Sequence, residues 1–115
     1  NFDEIFISIH NNFIGIKGIG MLAIYDIVSA ICRYYKINID KVYIVGKGPK
    51  RAITLLNINT KNYQIYENIN LKYVEISDII NAFAMNNIEI DKQIVKTMNG
   101  DMVESYICNW QKNIN

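Results

Sequence analysis

The chain has 115 residues, 50% of them hydrophobic and 20% charged, with a formal net charge of +1. That length suits one domain with a core of its own. The composition excludes a disordered chain and a strongly basic or histone-like binder, and two cysteines and one proline exclude a disulfide scaffold and a low-complexity linker.

Phe2 to Phe13 reads as a helix, with Phe2, Ile5, Ile9 and Phe13 on one face. Asp3 and Glu4 fall in its first turn, where negative charge suits the helix dipole. Ile14 to Gly20 carries three glycines in seven residues and predicts a tight turn. Met21 to Tyr35 predicts a second helix with an inner stripe of Ile24, Ile27, Val28, Ile31 and Tyr35. Asp40 to Val45 fits either a strand or a short helix capped by Asp40. Gly46 to Pro49 is a second turn, with Pro49 at the first position of a helix running to about Leu56. Asn57 to Asn62 is turn-like, and Tyr63 to Ile76 alternates as a β-hairpin or irregular segment would. Ser77 is the expected N-cap of a helix over Asp78 to Met85, and Asn86-Asn87 breaks the chain. Two helices follow, Ile88 to Met98 and Asp101 to Ile114, divided at Asn99-Gly100.

The two turns share a pattern. Ile16-Lys17-Gly18-Ile19-Gly20-Met21 and Ile44-Val45-Gly46-Lys47-Gly48-Pro49-Lys50-Arg51 both read apolar–x–Gly–x–Gly and then enter a helix. This resembles the helix-hairpin-helix family, in which such hairpins, often paired, grip a nucleic-acid phosphate without reading sequence. The resemblance covers residues 2–56 and implies phosphate contacts from Lys17, Gly18, Ile19, Gly20 and Met21, and from Gly46, Lys47, Gly48, Lys50 and Arg51. The physics is direct, because the first amides of a helix are free donors at its positive end and glycine lets a backbone come close. A turn between packed helices explains the same glycines with no ligand. The first copy has Met21-Leu22-Ala23 where the family has a small residue or proline and then Lys, Arg or Thr; the second has Lys47 at the buried hairpin position. The pattern I-K-G-I-G-M-L-x-x-Y-D also is similar to a family of small uncharacterised bacterial proteins, with Gly18, Gly20, Leu22, Tyr25, Asp26, Val42, Tyr43 and the later Val103, Glu104 and Cys108 in common.

Charge is uneven along the chain. Lys17 to Lys61 holds eight basic and two acidic residues, and Asn62 onward holds four basic and seven acidic ones. The basic stretch coincides with the glycine turns, as a phosphate-gripping face requires, although a solvated surface has the same look. Chemistry-bearing candidates are few. His10 is the lone histidine, Cys32 and Cys108 lie far apart in apolar settings, and no zinc spacing exists. Asp101 and Glu104 read as first-turn helix acids, and Asp26 as a structural acceptor for backbone donors or Lys17. Tyr43 and Tyr63 are the candidates for stacking on bases, if exposed.

These observations predict a mainly α fold, a compact bundle of five or six helices with glycine hairpins and room for a short β-hairpin near residues 63–75. They predict one domain over 1–115, with a tandem hairpin region at 2–56 and a helical region at 57–115. The expected function is non-catalytic nucleic-acid backbone binding, DNA before RNA, with no cofactor, no metal and no membrane. The alternative is a protein-interaction module of a bacterial complex with structural glycine turns. No apolar run reaches the ~20 residues of a membrane span and no signal pattern opens the chain. The expected compartment is therefore the cytoplasm, with reduced cysteines. Asn rather than Met at position 1 leaves a larger parent chain open.

Overall fold

The computed structural model describes residues 1–114. The order is α1 (Phe2–Phe13), α2 (Met21–Tyr34), β1 (Lys41–Tyr43), α3 (Lys47–Leu55), β2 (Lys61–Tyr66), β3 (Ile69–Glu75), α4 (Ile76–Met85), α5 (Lys92–Thr97) and α6 (Gly100–Lys112). The strands form one antiparallel sheet in the order β1-β3-β2. Val42 pairs with Val74, Tyr63 pairs with Leu71, and a bulge interrupts β2 between Gln64 and Tyr66.

The fold is therefore α+β, and the expected mainly α bundle is corrected. The reason lies in β1. Val42-Tyr43-Ile44-Val45 is an unbroken apolar run, and such a run carries no period that separates a buried strand from a buried helix. In the structure it is buried on both sides. Alternation along the strands sends successive side chains to opposite faces. Val42 and Val74 join a core made with Ala52 and Ile53 of α3, Ile79 and Phe83 of α4, and Val103 and Ile107 of α6. Tyr43, Ile69 and Leu71 join a second core with Phe2 and Phe6 of α1 and Ile24, Tyr25, Val28 and Cys32 of α2. The sheet thus lies between α1–α2 and the later helices.

Several boundaries differ from expectation for local reasons. β2 and β3 extend the hairpin to Lys61–Glu75. α4 starts at Ile76 because Asp78 reaches back, its Oδ2 accepting from the Glu75 amide at 2.9 Å, so Ser77 lies inside the helix rather than capping it. α5 is shorter than Ile88–Met98 because Asp91 caps it, accepting from the Gln93 amide at 2.8 Å. α6 spans Gly100–Lys112 rather than Asp101–Ile114. α3 starts at Lys47, two residues before Pro49. Tyr35, expected in the α2 stripe, lies outside that helix and is exposed. α3 and α4 give way to Asn57 and Asn87, both at φ 56°, the left-handed conformation that Asn tolerates. Among the described residues no helix is long and apolar enough to cross a membrane.

Candidate phosphate-binding face

The first glycine turn runs from the end of α1 to the start of α2. The Ile19 amide donates to the Ile16 carbonyl at 3.1 Å, which closes a four-residue turn. Gly18 is its third residue with φ +87°, a position where a side chain would be strained. Gly20 then caps α2 in extended conformation, and the first intrahelical bond is Ile24 N–H to Gly20 carbonyl at 3.1 Å. The amides of Met21, Leu22 and Ala23 have no acceptor among the described residues.

The second turn is strand–turn–helix, not helix–hairpin–helix, because β1 precedes it. The Ile44 amide donates to the Lys72 carbonyl at 2.8 Å, Gly46 caps α3, and Lys50 N–H closes the first bond to the Gly46 carbonyl at 3.3 Å. Pro49 has no N–H, so the free backbone donors at the start of α3 are Lys47 and Gly48, and the Lys50 amide is not one of them.

The two helix starts are neighbours. A Cβ on Gly46 would meet Leu22 Cδ1 at 3.4 Å, so the Leu22 side chain of α2 lies against the cap of α3. These are also the two helices with neither a side-chain cap nor a first-turn acid. The other four have Asn1, Asp78, Asp91 or Asn99 at their starts. Lys17, Lys47 and Lys50 are exposed, and none of them forms an ion pair among the described residues. Five amides without an acceptor among the described residues and three exposed lysines thus lie on these two turns.

Not every expected contact residue faces that way. Gly48 lies within α3 against α6, where a Cβ would overlap the Cys108 sulfur. Arg51 is committed to the end of α6: Nη1 donates to Gln111 Oε1 at 2.6 Å and to the Gln111 carbonyl, and Nη2 donates to the Ile114 carbonyl at 2.8 Å. Ile19 and Met21 are half-buried on the α1–α2 core. Tyr43 is 2% exposed, and Tyr63 is half-buried and donates its hydroxyl to Asp3, so neither is a free stacking platform. His10 is half-buried beside Phe6, ring centroids 6.5 Å apart. Burial pushes the Cys32 thiol up, which suits an inert core residue. Cys108 is only partly buried. Among the described residues no three His, Cys, Asp or Glu converge on a metal-sized site.

A group of charges was not read from the sequence. Arg33 of α2 pairs with Asp101 of α6 at 2.9 Å, and burial, then the charges of Asp101 and Asp26, push the Glu104 carboxyl up to about 7. Arg33 and Asp101 are 68 residues apart, so no local spacing announces the pair.

No family model, no curated protein and no solved structure matches the chain.

Proposed function

We propose that the chain binds a nucleic-acid backbone, DNA before RNA, without reading its sequence and without catalysing a reaction on it. The observation that carries this proposal is the contact of Leu22 with Gly46, which holds two uncapped helix N-termini side by side among Lys17, Lys47 and Lys50. Helix N-termini bind anions through free amides and the dipole, and lysines add a salt-dependent term. The likeness to helix-hairpin-helix proteins supports the first turn alone. The setting that fits is the cytoplasm, where both cysteines stay reduced.

The test is binding of a labelled ~20-base-pair duplex over a salt series, which resolves phosphate contacts as a slope. Three lysine–phosphate contacts give log K against log[salt] a slope of about −2.7 from these residues. The triple variant Lys17→Ala/Lys47→Ala/Lys50→Ala loses that share, while its thermal midpoint is unchanged. Competition with a matched RNA duplex orders the two acids.

A second reading, a protein-interaction module, is favoured by Ile14, Ile16 and Leu22. They are 46%, 50% and 48% exposed at the first turn and the start of α2, and exposed apolar patches mark protein contacts. On that reading the duplex does not bind even at low salt.

A further inference from the structure

Tyr34 ends α2 and Tyr35 caps it, both in open solvent. They are 80% and 68% exposed, and their rings meet edge to face with centroids 5.0 Å apart. Cations flank the pair, Arg33 before it and Lys36 after it. Both cations line a cavity of about 280 Å³ with Asn38, Thr97, Asn99 and Asp101. Asp101 accepts from Arg33 Nη2 at 2.9 Å, the one hydrogen bond of that guanidinium among the described residues, and the Arg33 side chain is 66% exposed. Lys36 forms no ion pair among the described residues. Of the nearest acids along the chain, Asp40 pairs with Lys41 at 3.5 Å, and Asp26 lies about two turns back along α2.

Lys36 is also an exception to a pattern. Helices α2, α3 and α4 end in the same turn, with the residue past the cap at φ 56°. The isoleucine after it then donates back into the helix: Ile37 to the Cys32 carbonyl at 2.8 Å, Ile58 to Ile53 at 3.1 Å, and Ile88 to Phe83 at 2.9 Å. Asn57 and Asn87 hold the left-handed position in two of these turns, and Lys36 holds it in the third. Asparagine tolerates that backbone and lysine is strained in it. A lysine kept at such a position has a use for its charge, either at the negative end of the helix or toward a ligand.

We propose that Arg33 to Lys36 form a stacking site for unpaired nucleobases: bases of a single strand lie on the Tyr34 and Tyr35 rings, and the adjoining phosphates reach Arg33 and Lys36. This rests on the reading of the chain as a nucleic-acid binder and names the form it takes, a single strand or a duplex that borders one. Every base has a π-face, so an open aromatic pair holds bases without reading sequence. Tyr43 and Tyr63 are covered, so Tyr34 and Tyr35 are the aromatics open to that role. Exposed tyrosines also suit a protein partner, but two flanking cations and only one acid in the cavity, itself paired, favour a polyanion. The pair lies at the opposite end of α2 from the Met21 to Ala23 amides, about 20 Å along the helix.

The experiment compares a blunt duplex, the same duplex with a short thymidine overhang, and a free oligothymidine. The wild type binds the overhang duplex about fivefold to tenfold tighter than the blunt one, the gain of one stacked base. Tyr34→Ala/Tyr35→Ala removes that gain and leaves blunt-duplex affinity and the thermal midpoint unchanged, while Tyr34→Phe/Tyr35→Phe keeps it. Lys36→Asn lowers the salt slope of oligothymidine binding by about 0.7, and its midpoint does not fall, because asparagine suits the left-handed backbone. A lower midpoint with an unchanged slope overturns the place of Lys36 in the site. An overhang that adds nothing, or a gain that survives Tyr34→Ala/Tyr35→Ala, overturns the stacking site. So does oligothymidine that fails to bind at low salt, which makes the pair a protein contact. Blunt duplex that fails to bind while the tyrosines still hold oligothymidine overturns the paired helix starts instead and supports the stacking site.

Discussion

A methyl group added at Gly100 would overlap the Lys41 carbonyl, and one added at Gly48 would overlap the Cys108 sulfur, whereas one at Gly18 would meet open space. The three glycines therefore fail in different ways. Gly48→Ala is expected to cost about 1–3 kcal/mol, as overpacking does, and Gly48→Ala/Cys108→Ala recovers most of it, read by urea denaturation. Gly18→Ala is expected to cost about 1 kcal/mol through its left-handed backbone despite the room around it. No second-site change at a neighbouring side chain relieves that strain. The sequence shows Gly18 for what it is, since three glycines in seven residues announce a turn. It misleads at Gly48, which belongs to a helix whose partner, Cys108, lies sixty residues further along the chain. Arg51 is the same kind of case. Its place beside Gly48 and Lys50 suggested a phosphate contact, and its partner Gln111 is visible only once α3 and α6 are packed.

Among the elements, α1 is legible from one end to the other because its signals are local: Asn1 at the cap, Asp3 and Glu4 in the first turn, and glycine soon after. β1 is not, because a strand buried on both faces has no alternation to show. The start of α3 shifted by two residues because Gly46, not Gly48, takes the cap. These corrections change what Arg51 is expected to do. Arg51→Ala frees the last turn of α6 and is expected to lower stability by about 1–2 kcal/mol, the range for hydrogen bonds to a charged group with partial exposure. Hydrogen exchange then quickens over the end of α6, and the salt slope of duplex binding is unchanged. A loss of slope in Arg51→Ala with no loss of stability places its charge on the ligand instead.

At the scale of the whole molecule, the sheet separates two cores and the chain crosses it so that α2 and α3 start side by side. The basic stretch from Lys17 to Lys61 was readable as a tally of charge, but the meeting of the two helix starts was not, because it depends on Leu22 crossing to Gly46. That meeting brings the two turns together, and it is the place proposed to contact a phosphate backbone. The measurement that tests it most directly is an amide chemical-shift map of the labelled protein titrated with a short DNA duplex at low salt. Met21, Leu22, Ala23, Lys47 and Gly48 are expected to move together, saturate at one affinity, and return as salt is raised. If these five amides stay still while the duplex binds elsewhere, or if the duplex leaves every amide unmoved, the two helix starts are not a phosphate-binding face.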